Sequence, residues 1–231
     1  MKYYRGKENI FLMTLTLIGA IVWIIIGRPQ SINDIYMGIG INARPIYYMQ
    51  FLGEYIVYAW ACMGFMQTYL KRGGIYKVIR EKSKKKYICQ MEFRLALYLI
   101  YLIVIRFIIY STCFVIANKK WEISGSKLLI GTIIYFITYY VLCFIQVILE
   151  IWVGQKTAFL SIWIFNLCSL GIGDCIAKKW ITIFPINSAM ELRRKVLIIG
   201  NISILEQMII LICILIGICY LTIKERDFLK V

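Results

Sequence analysis

The sequence contains no histidine, and only 12 of its 231 residues are acidic. Histidine is a frequent general base in enzymes and the commonest ligand of catalytic metals. Its absence excludes histidine-dependent proteases, haem-ligating helices and the membrane metalloenzymes that rely on histidine. The GxSxG motif, which places a nucleophilic serine on a sharp turn, is also absent from the sequence. The residues therefore carry no signature of the common hydrolytic enzymes.

Signals for linkers and cross-links are equally scarce. The sequence has only 3 prolines and no tract rich in Pro or in Gly and Ser. None of the 8 cysteines forms a CxxC pair, and a cysteine inside an apolar helix behaves as a small apolar residue. The cysteines within apolar runs are Cys62, Cys113, Cys143, Cys168, Cys213 and Cys219. We expect no disulfide framework, no metal site and a single transmembrane domain over residues 1–231.

Apolar side chains, in contrast, are abundant. They make up 61% of the residues, while charged residues make up 17%, and a soluble domain is nearer half apolar. Six apolar runs approach the roughly 20 helical residues needed to cross a bilayer. Because a chain in lipid must satisfy its own backbone hydrogen bonds, we predict an all-α polytopic membrane protein with six transmembrane helices. The runs are 10–27, 47–70, 95–117, 128–149, 157–177 and 202–223.

The net charge of +15 would indicate a nucleic-acid partner in a soluble protein. In a membrane protein it is better interpreted as topology, because Lys and Arg accumulate on the cytoplasmic side. With the N-terminus inside, the inner segments hold sixteen Lys and Arg residues and the outer segments hold ten. The loop 71–94 contributes most of this difference. We therefore expect both termini in the cytoplasm, the lipid bilayer as a partner and no nucleic acid.

The stretch KRGGIYKVIREKSKKK, residues 71–86, carries eight Lys or Arg. Ile75, Val78 and Ile79 fall at helical spacing, with Lys77 and Arg80 off that stripe, which predicts a short amphipathic helix on the cytoplasmic face. One interpretation is an anchor to anionic lipid, at about 1 kcal/mol per basic residue. The other is a coupling helix that transmits the motion of a cytoplasmic partner into the second and third membrane helices.

The segment YLKRGGIYKVIREKSKKKYICQMEFR, between two apolar runs, resembles the region between the second and third helices of type-2 ABC transporter permeases. The closest resemblance is to small six-helix subunits of peptide and bacteriocin export or immunity systems of Gram-positive bacteria. The outer segment containing FPIN and the last helix ending in KERDFL resemble their final hairpin and cytoplasmic tail.

This resemblance implies a place in the bacterial cytoplasmic membrane and a partner ABC ATPase dimer. That dimer would bind ATP and Mg²⁺, while this chain would bind no cofactor. A second permease copy or a paralogue would complete the pathway. The residues that would couple to the ATPase are Ile75, Tyr76, Lys77, Val78, Ile79, Arg80 and Lys82.

The outer segment 178–201 mixes basic and apolar residues and contains Pro185. This composition predicts short amphipathic pieces that lie at the outer interface or dip partly into it. The other connections are short, so the helices they join should be antiparallel neighbours.

Charges inside the apolar runs each require a reason, because one near the bilayer centre costs about 2.5–3.5 kcal/mol on insertion scales. Arg106 either pairs with a carboxylate on a neighbouring helix or serves as a gate or substrate contact. Glu54, Asp174 and Glu206 all fall in the outer third of their predicted helices. They could line an outward-opening vestibule that attracts a cationic peptide, or pair locally with basic residues of the outer hairpin. We expect Glu150 at the inner interface.

Two functions from different classes follow. The first is a permease subunit that moves an amphipathic substrate (an antimicrobial peptide, a lipid-like molecule or a drug) by alternating access, powered by a separate ATPase. The alternative is a six-helix substrate-binding membrane subunit of an energy-coupling vitamin importer. A membrane enzyme is disfavoured by the missing histidine, and a passive channel by the lack of a filter-like sequence.

Overall fold

The structure, a computed structural model, describes residues 6–40, 43–65, 84–119, 124–175, 184–197 and 200–225. Within these ranges every regular element is helical. A π-helical turn, Trp23–Gly27, continues the first helix, and a 3₁₀ helix, Ile32–Tyr36, precedes the second. The long helices are α1 (Gly6–Val22), α2 (Pro45–Cys62), α3 (Lys84–Ile116), α4 (Gly125–Val153), α5 (Gln155–Cys175) and α8 (Asn201–Glu225), and the short ones are α6 (Pro185–Ser188) and α7 (Glu191–Leu197).

Four helical segments of the described chain are long and apolar enough to cross a membrane, judged by length and composition. They include α1 with its π-helical turn and most of α3, α4 and α8. Such segments identify the chain as a membrane protein. Their bounds are Ile10–Gly27, Ile88–Ile116, Gly125–Val153 and Asn201–Thr222.

α4 lies at the centre of the bundle and packs against α2, α3, α5, α6 and α8. Its side chains are buried on almost every side from Ile134 to Ile151. α8, in contrast, buries one stripe, formed by Ile204, Met208 and Leu215. Leu205, Leu211, Ile212 and Tyr220 flank this stripe and are half-buried. The apolar side chains on the other face are exposed, among them Ile209, Ile210, Ile214 and Ile218, as expected for a helix whose second face contacts lipid.

The connection from α1 to α2 folds over one end of the bundle. The Asp34 carboxylate accepts hydrogen bonds from the backbone N–H groups of Gln30 (2.8 Å) and Ser31 (3.0 Å), which starts the 3₁₀ helix. The Leu192 N–H donates to the carbonyl oxygen of Met37 at 3.0 Å, which joins this connection to α7. The segment 28–40 and the α6–α7 pair together cover this end of the bundle.

The structure adds a break to the second predicted run and extends the third. α2 ends at Cys62, residue 65 is helical again, and residues 66–83 lie outside the described chain, so the expected continuation of this run to residue 70 stays a prediction. α3 begins at Lys84, eleven residues before the predicted start of the third run. The short helices α6 and α7 lie within segment 178–201, which was expected at the outer interface, and Pro185–Met190 are all buried.

Candidate functional site

A buried ion pair joins α2 and α3 inside the bundle. Glu54 Oε2 lies 2.7 Å from Arg106 Nη2, and the two side chains are only 8% and 5% exposed. Tyr110 Oη donates a hydrogen bond to Glu54 Oε1 at 2.8 Å. Arg106 and Tyr110 are four residues apart on α3 and therefore lie on one face of that helix. Both carboxylate oxygens of Glu54 are thus bonded to α3.

The Arg106 guanidinium is surrounded by aromatic rings. Its Cζ lies 4.3 Å from the ring centroid of Tyr110, 4.8 Å from that of Tyr135 and 5.8 Å from that of Tyr36. Nη2 also donates to the carbonyl oxygen of Ile35 at 3.3 Å, while Nε and Nη1 have no hydrogen-bond partner among the described residues. One carboxylate and three aromatic rings therefore compensate this charge, which lowers the free-energy cost of burying it.

Four tyrosines form a cluster beside the ion pair. Tyr55 and Tyr58 come from α2, Tyr135 and Tyr139 come from α4, and each is at most 2% exposed. The Tyr139 ring centroid lies 4.2 Å from that of Tyr135 and 4.5 Å from that of Tyr58. All four hydroxyls lack a hydrogen bond of normal geometry to a described residue. The interface between α2 and α4 is therefore aromatic with polar tips, not aliphatic.

A cavity of about 670 Å³ lies at the end of the bundle covered by segment 28–40 and by α6–α7. Its wall includes Trp23, Gln50, Phe51 and Tyr135. Glu54 also lines it, so the ion pair and the cavity share one residue. Ligand sites typically have volumes of about 300–1,000 Å³, are mainly apolar or aromatic and carry a few polar groups. The cavity matches that description in both size and lining.

Arg193 of α7 is completely buried and holds this end of the bundle together. Its Nη1 donates to Asn187 Oδ1 at 2.7 Å and to the Leu170 carbonyl oxygen at 3.3 Å. Its Nε donates to the Ile39 carbonyl oxygen at 3.4 Å, and its guanidinium lies 5.7 Å from the ring centroid of Tyr48. One side chain thereby connects α2, α5, α6, α7 and the segment that precedes α2.

The next residue, Arg194, has a similar local role. Its Nη1 donates to the Ser188 carbonyl oxygen at 2.6 Å, which ties α7 back to the end of α6. Burial lowers the pKa of the Arg194 guanidinium from its ordinary value, and the charge of Glu191 partly opposes that effect. The α6–α7 pair is thus stabilised mainly by arginine bonds to neutral oxygens.

Polar contacts also join α2 and α4 at the C-terminal end of α2. Gln146 Nε2 donates to the Ala59 carbonyl oxygen at 2.9 Å. Glu150 Oε1 accepts a hydrogen bond from the backbone N–H of Gly64 at 2.7 Å, just after α2 ends. Glu150 is only 4% exposed. Its carboxylate is therefore used inside the protein, and its expected place at the inner interface stays a prediction.

Of the charged residues that the sequence singled out, the structure brings two together and places a third elsewhere. Glu54 and Arg106 are brought together, as one of the two interpretations of Arg106 predicts. Glu206 is exposed on α8 and does not line the cavity beside Glu54. Asp174 lies near the end of α5, and its side chain lies outside the described part. The vestibule of three carboxylates therefore stays a prediction. The coupling residues Ile75, Tyr76, Lys77, Val78, Ile79, Arg80 and Lys82 also lie outside the described residues.

Sequence reasoning missed the tyrosine cluster and the interior position of Arg193. A signal for the tyrosines was present, because Tyr135 and Tyr139 stand four residues apart on one face of a helix. Tyr55 and Tyr58 have the corresponding spacing of three on α2. For Arg193 the sequence carries no such signal, because its partners are carbonyl and amide oxygens from distant segments.

Comparison with known proteins identifies a family but no function. The model of a family described as "Protein of unknown function (DUF2705)" matches residues 10–229, and the chain belongs to this family. None of the curated proteins and none of the solved structures matches the chain.

Proposed function

We propose that this member of the DUF2705 family is the membrane-spanning permease subunit of an ABC transporter. It moves an amphipathic substrate by alternating access, and a separate ATPase dimer supplies the energy. ATP and Mg²⁺ bind to that partner, and this chain contributes the pathway and a coupling surface. A second copy of the chain or a paralogue completes the pathway.

The observation that carries this proposal is the continuity of α3. This helix is 33 residues long, roughly 50 Å at 1.5 Å per residue, and the hydrocarbon layer is only about 30 Å thick. It begins within the basic segment 71–94 and carries Arg106 about 33 Å further along its axis. A force applied near Lys84 would therefore reach the ion pair through a single rigid element, and Glu54 would pass it to α2.

The proposed topology has six crossing helices, α1 to α5 and α8, with both termini in the cytoplasm of a bacterial cell. The basic segment 71–94 then faces the ATPase, and the cavity opens toward the outside. In this arrangement the coupling surface and the substrate site lie at opposite ends of α2 and α3. ATP-driven closure of the partner dimer would shift α3 and alter access to the cavity.

Affinity purification from native membranes tests the proposal. The tagged wild-type protein should retain an ATP-hydrolysing subunit. The triple variant Lys77→Glu, Arg80→Glu, Lys82→Glu should insert normally but lose most of that subunit, because the contact surface now repels it. The matched control reverses three lysines at the proposed outer side, Lys119 and Lys120 between α3 and α4 and Lys127 in the first turn of α4. A wild-type protein that never retains a nucleotide-hydrolysing partner would refute the permease assignment.

The cavity favours a second candidate, a substrate-binding membrane subunit of an energy-coupling importer. Its volume of about 670 Å³ suits one small ligand, and such a subunit would keep that ligand without any ATPase present. Mass spectrometry of the purified chain separates the two candidates. A bound small molecule retained without an ATPase supports the second, and an empty chain that purifies with an ATPase supports the first.

A further inference from the structure

The charged residues around the cavity at the covered end of the bundle also limit which net charge a ligand can carry. Glu54 lines it, but Arg106 Nη2 already lies 2.7 Å from Glu54 Oε2. The other lining carboxylate, Asp34, accepts the backbone N–H groups of Gln30 and Ser31. The charged lining groups are thus the carboxylates of Glu54 and Asp34 and the guanidinium of Arg28, and Arg106 behind the wall neutralises Glu54. Arg193, which does not line the cavity, donates from Nε to the carbonyl oxygen of the lining residue Ile39 and is otherwise bonded to neutral oxygens.

This balance weakens any preference for a charged ligand. A cation beside Glu54 would be attracted by the carboxylate but repelled by Arg106, whose Nη2 lies 2.7 Å from Glu54 Oε2. An anion beside Glu54 would be attracted by Arg106 but repelled by the carboxylate. Either charge would also lose its hydration on leaving water, and the carboxylate that could replace that hydration is already paired. The surroundings of Glu54 are therefore best matched by a ligand group of zero net charge.

The lining also indicates what the rest of the ligand should carry. Trp23, Tyr36, Tyr47 and Phe51 contribute aromatic surface to the wall, which favours flat apolar or aromatic groups. Each oxygen of Glu54 accepts one hydrogen bond from α3, and a carboxylate can accept about four in total. A ligand N–H or O–H group could thus bind Glu54 without displacing Arg106.

The surroundings of Tyr135 independently indicate that the ligand carries a polar group. It lines the cavity, it is 1% exposed, and its hydroxyl has no hydrogen bond of normal geometry to a described residue. This hydroxyl lies close enough to Tyr58 and Tyr139 to interact with them, but a poorly bonded buried hydroxyl still costs part of the roughly 1–3 kcal/mol of an unsatisfied group. A ligand group that bonds to it would recover part of that cost.

We propose that the cavity binds an uncharged aromatic molecule that carries N–H or O–H donors, with Glu54 as the acceptor for those donors. The inference rests on the proposed function and deepens it, because it names the substrate class of the same site. It also departs from the expectation of a cationic peptide, since the charge of Glu54 is neutralised by Arg106.

Three indoles with one common ring system test the charge preference. N-acetyltryptophanamide is neutral, tryptamine is a cation and indole-3-acetate is an anion at pH 7. Binding of each radiolabelled probe to the full chain in lipid nanodiscs is measured by equilibrium dialysis, with empty nanodiscs as the background. The neutral probe should bind at least about tenfold more tightly than either charged probe, which corresponds to about 1.4 kcal/mol. Equal or tighter binding of a charged probe, or no binding of any probe, overturns the proposal.

A pair of glycine variants locates the site. Gly40 lines the cavity, and a Cβ built there meets no atom within 4 Å, so Gly40→Trp should fill the cavity and abolish binding of the neutral probe. Gly217 of α8 has equally open surroundings but lies away from the cavity, so Gly217→Trp should leave binding unchanged. Unchanged binding in Gly40→Trp would place the probe elsewhere and refute the assignment.

The comparison of probes on the wild-type protein does not depend on either variant folding. Failure of the inference is also distinguishable from failure of the proposed function. A chain that purifies with an ATPase but binds no neutral indole refutes only the ligand class. A chain that binds the neutral indole but never retains an ATPase refutes only the permease assignment.

Discussion

Replacing Glu54 by glutamine removes the negative charge of the buried ion pair but keeps its shape. The carboxamide oxygen of the introduced side chain can still accept a hydrogen bond from Tyr110, whose Oη lies 2.8 Å from Glu54 Oε1 in the native protein. Arg106, which is 4% exposed, then remains charged without a counter-ion. Breaking a buried pair in this way typically costs about 3–5 kcal/mol, and we expect a loss of that size in the free energy of unfolding.

The chain contains a matched control for this substitution. Lys195 Nζ lies 2.7 Å from Glu191 Oε1, the same separation as in the buried pair, but these side chains are 62% and 26% exposed. Solvent screens such a pair, so Glu191→Gln should cost less than about 0.5 kcal/mol. Both variants would be compared by reversible unfolding in mixed detergent–SDS micelles. The double variant Glu54→Gln, Arg106→Gln should recover at least about 2 kcal/mol relative to the sum of the single changes. Similar losses for Glu54→Gln and Glu191→Gln would refute the reasoning.

Two further substitutions test the covered end of the bundle by the same unfolding measurement. Gly38→Ala should destabilise the protein by about 1–3 kcal/mol, because Gly38 has φ +68° and a Cβ there would lie 2.5 Å from Met190 Cγ. Gly40→Ala is the control, because a Cβ at Gly40 meets no atom within 4 Å. Equal losses of stability in the two variants would contradict the close packing of Gly38 against Met190. Arg193→Met should cost about 2–5 kcal/mol, since it removes the donor to the Asn187 carboxamide oxygen and to the carbonyl oxygens of Leu170 and Ile39. Lys127→Met, on an exposed lysine, should change stability little, and a tolerated Arg193→Met would argue against a structural role.

The long helices follow from the apolar runs, but their ends do not. The third run was predicted to begin at residue 95, because KKKYICQMEFR is polar. The structure continues the helix back to Lys84, since Lys, Gln, Glu and Arg are good helix formers. Ile88, Met91 and Leu95 also place a buried stripe on its inner face. A membrane-length criterion therefore located the span but not the full helix.

The break after α2 has a tertiary cause. Gly64 adopts φ +78°, which favours glycine, and its N–H is taken by Glu150 of α4. A glycine after an apolar run is a known helix-end signal, but Gly53 lies within the same helix and does not end it. The sequence alone could not distinguish the two glycines, because the deciding partner is 86 residues away.

The sequence alone likewise could not identify which carboxylate pairs with Arg106. A buried arginine requires compensation, but the sequence analysis could say only that the partner would be a carboxylate on a neighbouring helix. Because α2 and α3 both pack against α1 and α4, the structure brings Glu54 of α2 within reach of Arg106. The aromatic cage around Arg106 depends on Tyr36, which the α1–α2 connection brings into the bundle. Spacing along one helix could predict Tyr110 but not this distant ring.

Site-specific photocrosslinking in intact cells tests the central claim most directly. A photoreactive phenylalanine analogue at position 76, within the basic segment 71–94, should crosslink to an ATPase subunit on irradiation. The same analogue at position 28, in the connection that borders the cavity, should not. Crosslinks to the ATPase from position 76 alone are the result that the account predicts. A position 76 that reacts only with reagents added outside the cell, and never with an ATPase, would contradict it.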